Sequence, residues 1–101
     1  MSKPFTNPQI KKLKALAQRL DPVLHVGREG VSERFLKSAD EELNRHELIK
    51  IKFVALKEEK RTLAPLVAEK TAGHVVSQVG NVFVLYRANT DPAQRKVVLP
   101  D

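Results

Sequence analysis

Apolar residues recur every three or four positions in two stretches of the first half of the chain, as expected of helices with one buried side. The first stretch follows Asn7, a predicted N-cap, and ends at Asp21 and Pro22. The second follows Ser32, whose hydroxyl is suited to cap a helix, and Glu33 then places a carboxylate in the first turn. We therefore predict two amphipathic helices, and the polar side of the first is rich in lysine.

A third helical stretch, between residues 56 and 73, contains a proline that restricts where the helix can begin. Because proline has no N–H, Pro65 fits the first turn of a helix that Thr62 caps. A start near Glu58 would place Pro65 deeper in the helix and would require a kink. We therefore predict a helix that is capped by Thr62 and closed by Gly73 in a left-handed conformation.

Four shorter stretches have the composition of β-strands, and they cover residues 23–26, 48–54, 75–79 and 82–87. In the second of these, apolar residues alternate with Lys50 and Lys52, which predicts a half-buried strand with a basic outer face. The last two flank Gly80 and Asn81, a two-residue hairpin signal. Because the final strand is apolar on both faces, we expect it inside the sheet.

The order of these elements, α-β-α-β-α-β-β, limits the possible topologies. Parallel strands joined by helices need right-handed crossovers, and the strand order 1-2-4-3 lets both crossovers run the same way. We predict an α/β fold, a single two-layer domain with a four-stranded mixed sheet that the second and third helices cover on one face. The apolar side of the first helix is available for the other face. Residues 1–101 would form this domain, with a core over residues 8–90 and a polar tail over residues 91–101.

A loop with two glycines, Gly27-Arg28-Glu29-Gly30, separates the first strand from the second helix. Glycine permits close approach of a ligand to the backbone, and the unpaired N–H groups at a helix start attract a phosphate. The loop can therefore clamp a nucleic-acid backbone, as the GXXG loop of KH domains does. The alternative is a tight strand-to-helix turn without a ligand.

The formal net charge of +6 and the isoelectric point near 9.8 favour polyanionic partners. The excess lies in residues 1–20, which contain no acidic side chain and five basic ones: Lys3, Lys11, Lys12, Lys14 and Arg19. The rest of the chain is nearly balanced in charge. The first helix is therefore a candidate for contact with nucleic acid, and the alternative is a helix side that is merely solvated.

Several kinds of chemistry are not indicated. The chain has no cysteine, which excludes disulfides and thiolate catalysis. His25, His46 and His74 lack a second ligand at the spacing of zinc sites, and no lysine of the nucleotide-binding type follows the glycine loop. We expect no metal, no cofactor and no catalysis. Because the first residues form no apolar leader and no apolar run has membrane-spanning length, we expect a soluble cytoplasmic protein with no membrane partner.

With these elements in place, the chain resembles the YhbY-like family, which are stand-alone bacterial proteins of the CRM domain class (chloroplast RNA splicing and ribosome maturation). The matching segments, in the family's order and spacing, are residues 13–17 (LKALA), 26–31 (VGREGV), 46–52 (HELIKIK) and 84–87 (VLYR). The resemblance implies a fold similar to that of the C-terminal domain of translation initiation factor three. It also implies RNA binding and association with precursors of the large ribosomal subunit.

The resemblance assigns the family's loop glycines to Gly27 and Gly30. Loop interiors in the family are small, polar or basic, whereas Glu29 adds a negative charge here, for which Arg28 can compensate. We therefore predict a non-catalytic, monomeric protein that binds ribosomal RNA and assists assembly of the large ribosomal subunit. The predicted RNA-binding residues are Gly27, Arg28, Gly30, Lys11, Lys12, Lys14, Arg19, Lys50 and Lys52. The alternative is a protein-interaction domain whose basic face binds an acidic partner protein.

Overall fold

Helices and strands follow one another along the chain in the predicted order. The structure, a computed structural model, describes residues 5–101. Its main elements are α1 (Asn7–Ala17), β1 (Pro22–Val26), α2 (Glu33–His46), β2 (Leu48–Phe53), α3 (Lys60–Thr71), β3 (His74–Val79) and β4 (Val82–Tyr86). Short 3-10 turns lie at Lys57–Glu59 and Pro92–Gln94.

The four strands form one sheet in the order β1-β2-β4-β3. β1 and β2 are parallel, and β4 pairs with β2 and with β3 in antiparallel orientation. The hairpin between β3 and β4 turns at Gly80, whose φ of 59° is one that glycine adopts readily. The predicted α/β class, the mixed sheet and the strand order are confirmed.

The larger core lies between the sheet and the pair formed by α2 and α3. Ile49, Ile51 and Phe53 of β2 point to this side and are almost completely buried, as their alternation predicts. The ring of Phe53 lies with its centroid 5.6 Å from that of Phe83 on β4. Full burial of an apolar side chain of this size stabilises a fold by about 1.5–3 kcal/mol.

α1 covers part of the opposite face of the sheet, the role for which its apolar side is suited. Leu13 and Ala17 are buried in a second core that also contains Leu48, Val76, Val84 and Tyr86 of the sheet. Val97 and Leu99 from the C-terminal tail pack against the same cluster. α1 does not cover the C-terminal end of β2, where Lys52 is exposed.

Two helices begin at hydroxyl side chains. The Oγ atom of Ser32 accepts a hydrogen bond from the Phe35 N–H at 3.1 Å, so Ser32 caps α2 as predicted. α1, however, is capped by Thr6 and not by Asn7. Thr6 Oγ1 accepts from the Gln9 N–H, while the Gln9 side chain accepts from the Thr6 N–H. This reciprocal capping box needs a glutamine or glutamate three residues after the cap, which Asn7 lacks.

The start of α3 differs from the prediction. The helix begins at Lys60, directly after the turn at Lys57–Glu59, so Thr62 is not its cap. Pro65 therefore lies inside the helix and not in its first turn. Because Pro65 and Arg61 are exposed, water can hydrate the Arg61 carbonyl, which has no proline N–H to pair with.

The end of α3 also differs from the prediction. Ala72, not Gly73, adopts the left-handed conformation, with a φ of 57°, and the Gly73 N–H donates to the Ala68 carbonyl at 2.9 Å. Glycine suits position 73 for another reason. A Cβ atom there would lie 3.3 Å from Cδ1 of Leu85, closer than ordinary van der Waals contact.

A buried carboxylate, that of Glu47, fastens the C-terminal tail to the junction between α2 and β2. Glu47 is 1% exposed, and its φ is 64°. Its carboxylate accepts hydrogen bonds from the backbone N–H groups of Asn89, Lys96 and Val97 at 2.6, 2.5 and 2.8 Å. Burial raises the pKa of this carboxyl, but the three hydrogen bonds and the positive charge of Arg95 outweigh burial and hold the pKa below its ordinary value of 4.5.

Candidate nucleic-acid interface

The glycine loop forms a tight turn at the carboxyl end of β1. The Gly30 N–H donates to the Gly27 carbonyl at 3.0 Å. Next to the turn, the Val26 carbonyl accepts from the N–H groups of Val54 and Ala55, both at 3.1 Å. These bonds attach the base of the loop to the end of β2.

The two glycines of the loop have different structural requirements. Gly30 has a φ of 69°, and a Cβ atom there would lie 3.1 Å from Cδ1 of Leu56, so the fold itself requires glycine at this position. Gly27 has no positive φ, and a Cβ atom there would meet nothing within 4 Å. Packing therefore does not explain the glycine at position 27, whereas close approach of a ligand to the backbone would explain it.

A shallow groove of about 350 Å³ runs beside the loop. Arg28 and Glu29 are exposed at this groove, and His25 and Arg34 also line it. Sequence reasoning missed Arg34. The signal that identifies it is its place in the first turn of α2, two residues after the Ser32 cap, which brings it beside the loop.

The two lysines of β2 lie on the sheet face that α1 covers only in part. Lys52 is exposed and lies beside His25 of β1, whereas Lys50 is half-buried and lies beside Val84 of β4. Residues two positions apart on a strand are separated by about 7 Å, so Lys50 and Lys52 are neighbours on this face. The predicted basic outer face of β2 is present, but its Leu48 end is buried under α1.

The basic residues of α1 divide between two sides of the helix. Lys14 lies with Lys50 on the wall of a cleft of about 420 Å³ between α1 and the sheet, and Lys11, three positions earlier, is on the same side as Lys14. Lys12 lies on another side of α1, and Arg19 lies beyond the helix, in the turn that follows Ala17. Arg19 lines a separate groove.

Most of the predicted binding residues form a connected series: His25 of the loop groove lies beside Lys52, and Lys50 shares a cleft with Lys14. We call this set the basic track, and it consists of Gly27–Gly30, Lys52, Lys50, Lys14 and Lys11. Lys12 and Arg19 lie away from it, and Lys3 lies outside the described residues. Among residues 5–101, no lysine of the track has a carboxylate oxygen within 4.0 Å. The positive charge of the track is therefore available to a ligand.

A profile of the CRS1/YhbY (CRM) domain family matches residues 5–87. The chain belongs to this family. The CRM domain described here is 36% identical over 97 residues to an RNA-binding protein of Haemophilus influenzae, and the match covers 95% of each chain. It is 33% identical over 89 residues to a probable RNA-binding protein of Pseudomonas aeruginosa, covering 87% of this chain and 86% of that one.

A solved structure has the same fold as this CRM domain. It is the solution structure of a hypothetical protein of Staphylococcus aureus that is described as an RNA-binding candidate. The two superpose with a TM-score of 0.76 at 30% sequence identity, over 95% of this chain and 99% of that one. The family relationship therefore extends over nearly the whole length of both proteins.

Two polar residues in the segments that carry the family resemblance have structural roles in this CRM domain. Glu47 holds the tail, as described above. The Arg87 guanidinium donates hydrogen bonds to the Asp40 carboxylate, the Asn44 side-chain oxygen and the Thr71 carbonyl. It thereby joins the end of β4 to α2 and α3. Both residues serve the fold and lie outside the basic track.

The three histidines of the CRM domain lie apart from one another. His46 Nε2 lies 3.5 Å from Oε2 of Glu42. The His74 ring meets the Phe5 ring edge-on, with 5.0 Å between their centroids, and His25 lies on β1. In the described part of the chain, no three side chains of His, Cys, Asp or Glu are grouped so that they could hold a metal ion. None of the helices described over residues 5–101 is long and apolar enough to span a membrane.

Proposed function

We propose that this protein binds RNA and does so without catalysis. The basic track carries the proposal, because its lysines and the glycine loop at the start of α2 offer groups suited to a phosphate backbone. The relative from Haemophilus influenzae, named as an RNA-binding protein, and that from Pseudomonas aeruginosa, named as a probable RNA-binding protein, support it. Contacts to phosphates supply affinity and position but do not read bases, so binding tolerates many RNA sequences.

We further propose that the RNA is ribosomal RNA in precursors of the large ribosomal subunit, whose assembly the protein assists in the cytoplasm. The resemblance to stand-alone bacterial CRM proteins supports this assignment. In this proposal the protein acts as a monomer without a cofactor, and residues 8–90 form the core of its single domain. The residues that contact RNA are Gly27, Arg28, Gly30, Lys11, Lys12, Lys14, Arg19, Lys50 and Lys52.

Crosslinking in cells, followed by sequencing of the bound RNA, tests both levels of the proposal. We expect ribosomal RNA of the large subunit, concentrated in precursor particles when extracts are separated by sedimentation. Crosslinks to other RNAs alone would leave RNA binding in place and remove the ribosomal assignment. A lack of crosslinks, together with no RNA affinity of the purified protein, would refute RNA binding itself.

A protein-interaction domain is the second candidate, and one groove favours it. The groove has a volume of about 530 Å³ and lies between α1, β1 and the tail. The partly exposed side chains of Leu16 and Val23 line it, and Arg19 and Lys96 outnumber Asp21 among its charged residues. Such a surface fits an acidic partner protein. Retention on immobilised ribosomal RNA and on an acidic protein column, each eluted with a salt gradient, separates the two functions.

A further inference from the structure

The cleft between α1 and the sheet offers a ligand more than positive charge. Its lining residues are Lys14, Ala17 and Gln18 on the helix side and Lys50, Ser77, Val79, Val82 and Val84 on the sheet side. None of these residues is acidic. The volume of about 420 Å³ lies within the range of about 300–1,000 Å³ that is typical of small-ligand sites. The cleft therefore combines two cations, two neutral polar groups and an apolar floor.

The apolar floor of the cleft is open to solvent at one end. Val79 is 77% exposed, more than any other large hydrophobic side chain in the described part of the chain. Val82 is half-buried beside it, and Val84 is buried deeper in the sheet. Val79 and Val82 are paired across the β3–β4 hairpin, and a ligand that covered them would remove their apolar surface from water.

The polar residues of the cleft can hold a ligand that has both charged and neutral groups. The Gln18 amide and the Ser77 hydroxyl can each donate and accept hydrogen bonds. Lys50 is half-buried, as expected of a lysine whose aliphatic part covers apolar surface while its ammonium group stays in water. Lys14 stands opposite, on the helix. A nucleotide has the matching parts: an apolar base face, a polar base edge and phosphates.

We propose that this cleft holds one unpaired nucleotide, and that the protein therefore binds single-stranded RNA more tightly than double-stranded RNA. The base lies on Val79 and Val82, and Gln18 bonds its polar edge. Lys14 and Lys50 pair with the adjacent phosphates. A base inside a duplex is stacked and paired and cannot enter the cleft, whereas an unpaired base can turn outward into it. This inference rests on the proposed RNA-binding function.

Fluorescence anisotropy of the full chain with a labelled oligouridine and with an RNA duplex of equal length tests the inference. The test variant combines Val79→Ser with Gln18→Ala, which removes an apolar and a polar contact without changing any charge. We expect it to bind oligouridine about threefold to tenfold more weakly, with duplex binding and salt dependence unchanged. Because both positions are exposed, its thermal unfolding should match that of the native protein.

Val98→Ser is the matched control, since Val98 is 73% exposed but lies in the tail and does not line the cleft. It should change neither affinity. Equal affinity of the native protein for the two RNAs would overturn the inference, and so would unchanged oligouridine binding by the double variant. In both cases the proposed RNA-binding function would stand. Failure of the native protein to bind either RNA would instead overturn the proposed function and the nucleotide site together.

Discussion

The Glu47 carboxylate accepts a hydrogen bond from the Val97 N–H at 2.8 Å, and the two residues are fifty positions apart in the sequence. The same oxygen accepts from the Lys96 N–H, and the other oxygen accepts from the Asn89 N–H. One carboxylate thus accepts hydrogen bonds from three backbone N–H groups of the tail. These three bonds favour the ionised form of Glu47, because a protonated carboxyl has fewer acceptor sites.

Replacing Glu47 by Gln should lower the free energy of unfolding at neutral pH by about 1–3 kcal/mol. The amide has one oxygen and one NH₂ group, so at least one backbone donor of the tail loses its acceptor. Urea unfolding measures the change. Glu41→Gln is the matched control, because Glu41 is exposed on α2, and it should change stability by less than about 0.5 kcal/mol.

Protonation of the Glu47 carboxylate should also lower the free energy of unfolding of the native protein in acid. Because the folded state holds the Glu47 pKa below 4.5, the unfolded chain takes up this proton first as the pH falls. The contribution of Glu47 is therefore complete above pH 4.5 and is lost as the pH falls through the folded-state pKa. Glu47→Gln should lack this part of the pH dependence. If its acid sensitivity equalled that of the native protein, Glu47 would not be the group responsible.

Tyr86 provides a spectroscopic measure of the same carboxylate. Burial raises the Tyr86 pKa above its ordinary value of 10.0, and the negative charge of Glu47 raises it further, while Arg95 acts in the opposite direction. The chain has one tyrosine and no tryptophan, so phenolate absorbance reports on Tyr86 alone. We expect Glu47→Gln to lower the Tyr86 pKa and Glu41→Gln to leave it unchanged.

Changing Lys11, Lys12 and Lys14 together to glutamine should weaken the binding of all RNAs to a similar extent. Each lost contact to a single-strand phosphate should flatten the log–log salt dependence by about 0.7. The control combines Lys37→Gln with Lys70→Gln, which removes exposed charge from α2 and α3 on the other face of the sheet. An unchanged slope in the α1 variant, measured by anisotropy titrations at several salt concentrations, would remove α1 from the interface.

Arg28→Gln and Glu29→Gln should change RNA affinity in opposite directions. Both side chains are exposed, so Arg28→Gln removes an attraction to phosphate and Glu29→Gln removes a repulsion, with little effect on thermal unfolding. The effects should be severalfold at low salt and smaller at high salt, because exposed charges are screened. If neither substitution altered affinity at low salt while the α1 variant did, the loop would be only a turn.

Alanine at each loop glycine should separate the structural from the binding role of the loop. Gly30→Ala should destabilise the fold by about 1–2 kcal/mol, because alanine is strained at positive φ and its Cβ would press on Leu56. Gly27→Ala should leave stability within about 0.5 kcal/mol, since its Cβ would point into open space. RNA affinity should nevertheless fall in Gly27→Ala. Full affinity in this stable variant would show that the backbone at position 27 does not contact RNA.

The features that the sequence predicts correctly depend on neighbouring residues or on general rules of chain topology. Ser32 caps α2 through a bond to a residue three positions away, and Gly80 turns a two-residue hairpin. The strand order follows from the handedness of crossovers and from the doubly apolar β4. These signals are contained in short segments of sequence, so no knowledge of packing is needed to find them.

The errors arise where several local solutions compete or where distant residues decide. Thr6 and Asn7 can both cap a helix, and the reciprocal bond with Gln9 selects Thr6. The sequence predicts that Gly73 ends the helix, whereas the residue that a Cβ atom there would press on, Leu85, belongs to a strand later in the chain. The role of Glu47 could not be found because its partners lie more than forty positions away.

The sequence supplies candidate binding residues but not their grouping, and it misses Arg34. Net charge and the glycine loop nominate these candidates, because both are properties of sequence alone. That Lys14 and Lys50 share a cleft, while Arg19 lines another groove, follows from how α1 crosses the sheet. A helical pattern defines the sides of α1 but does not say which side meets β2.

Because Val97 and Leu99 pack against the second core, completion of that core depends on residues near the end of the sequence. The larger core uses residues between Leu24 and Leu85, so it can close without the tail. The second core must wait for residues that are translated long after α1. We therefore expect α1, although it precedes α2 and α3 in the chain, to be the last of the three helices to dock on the sheet.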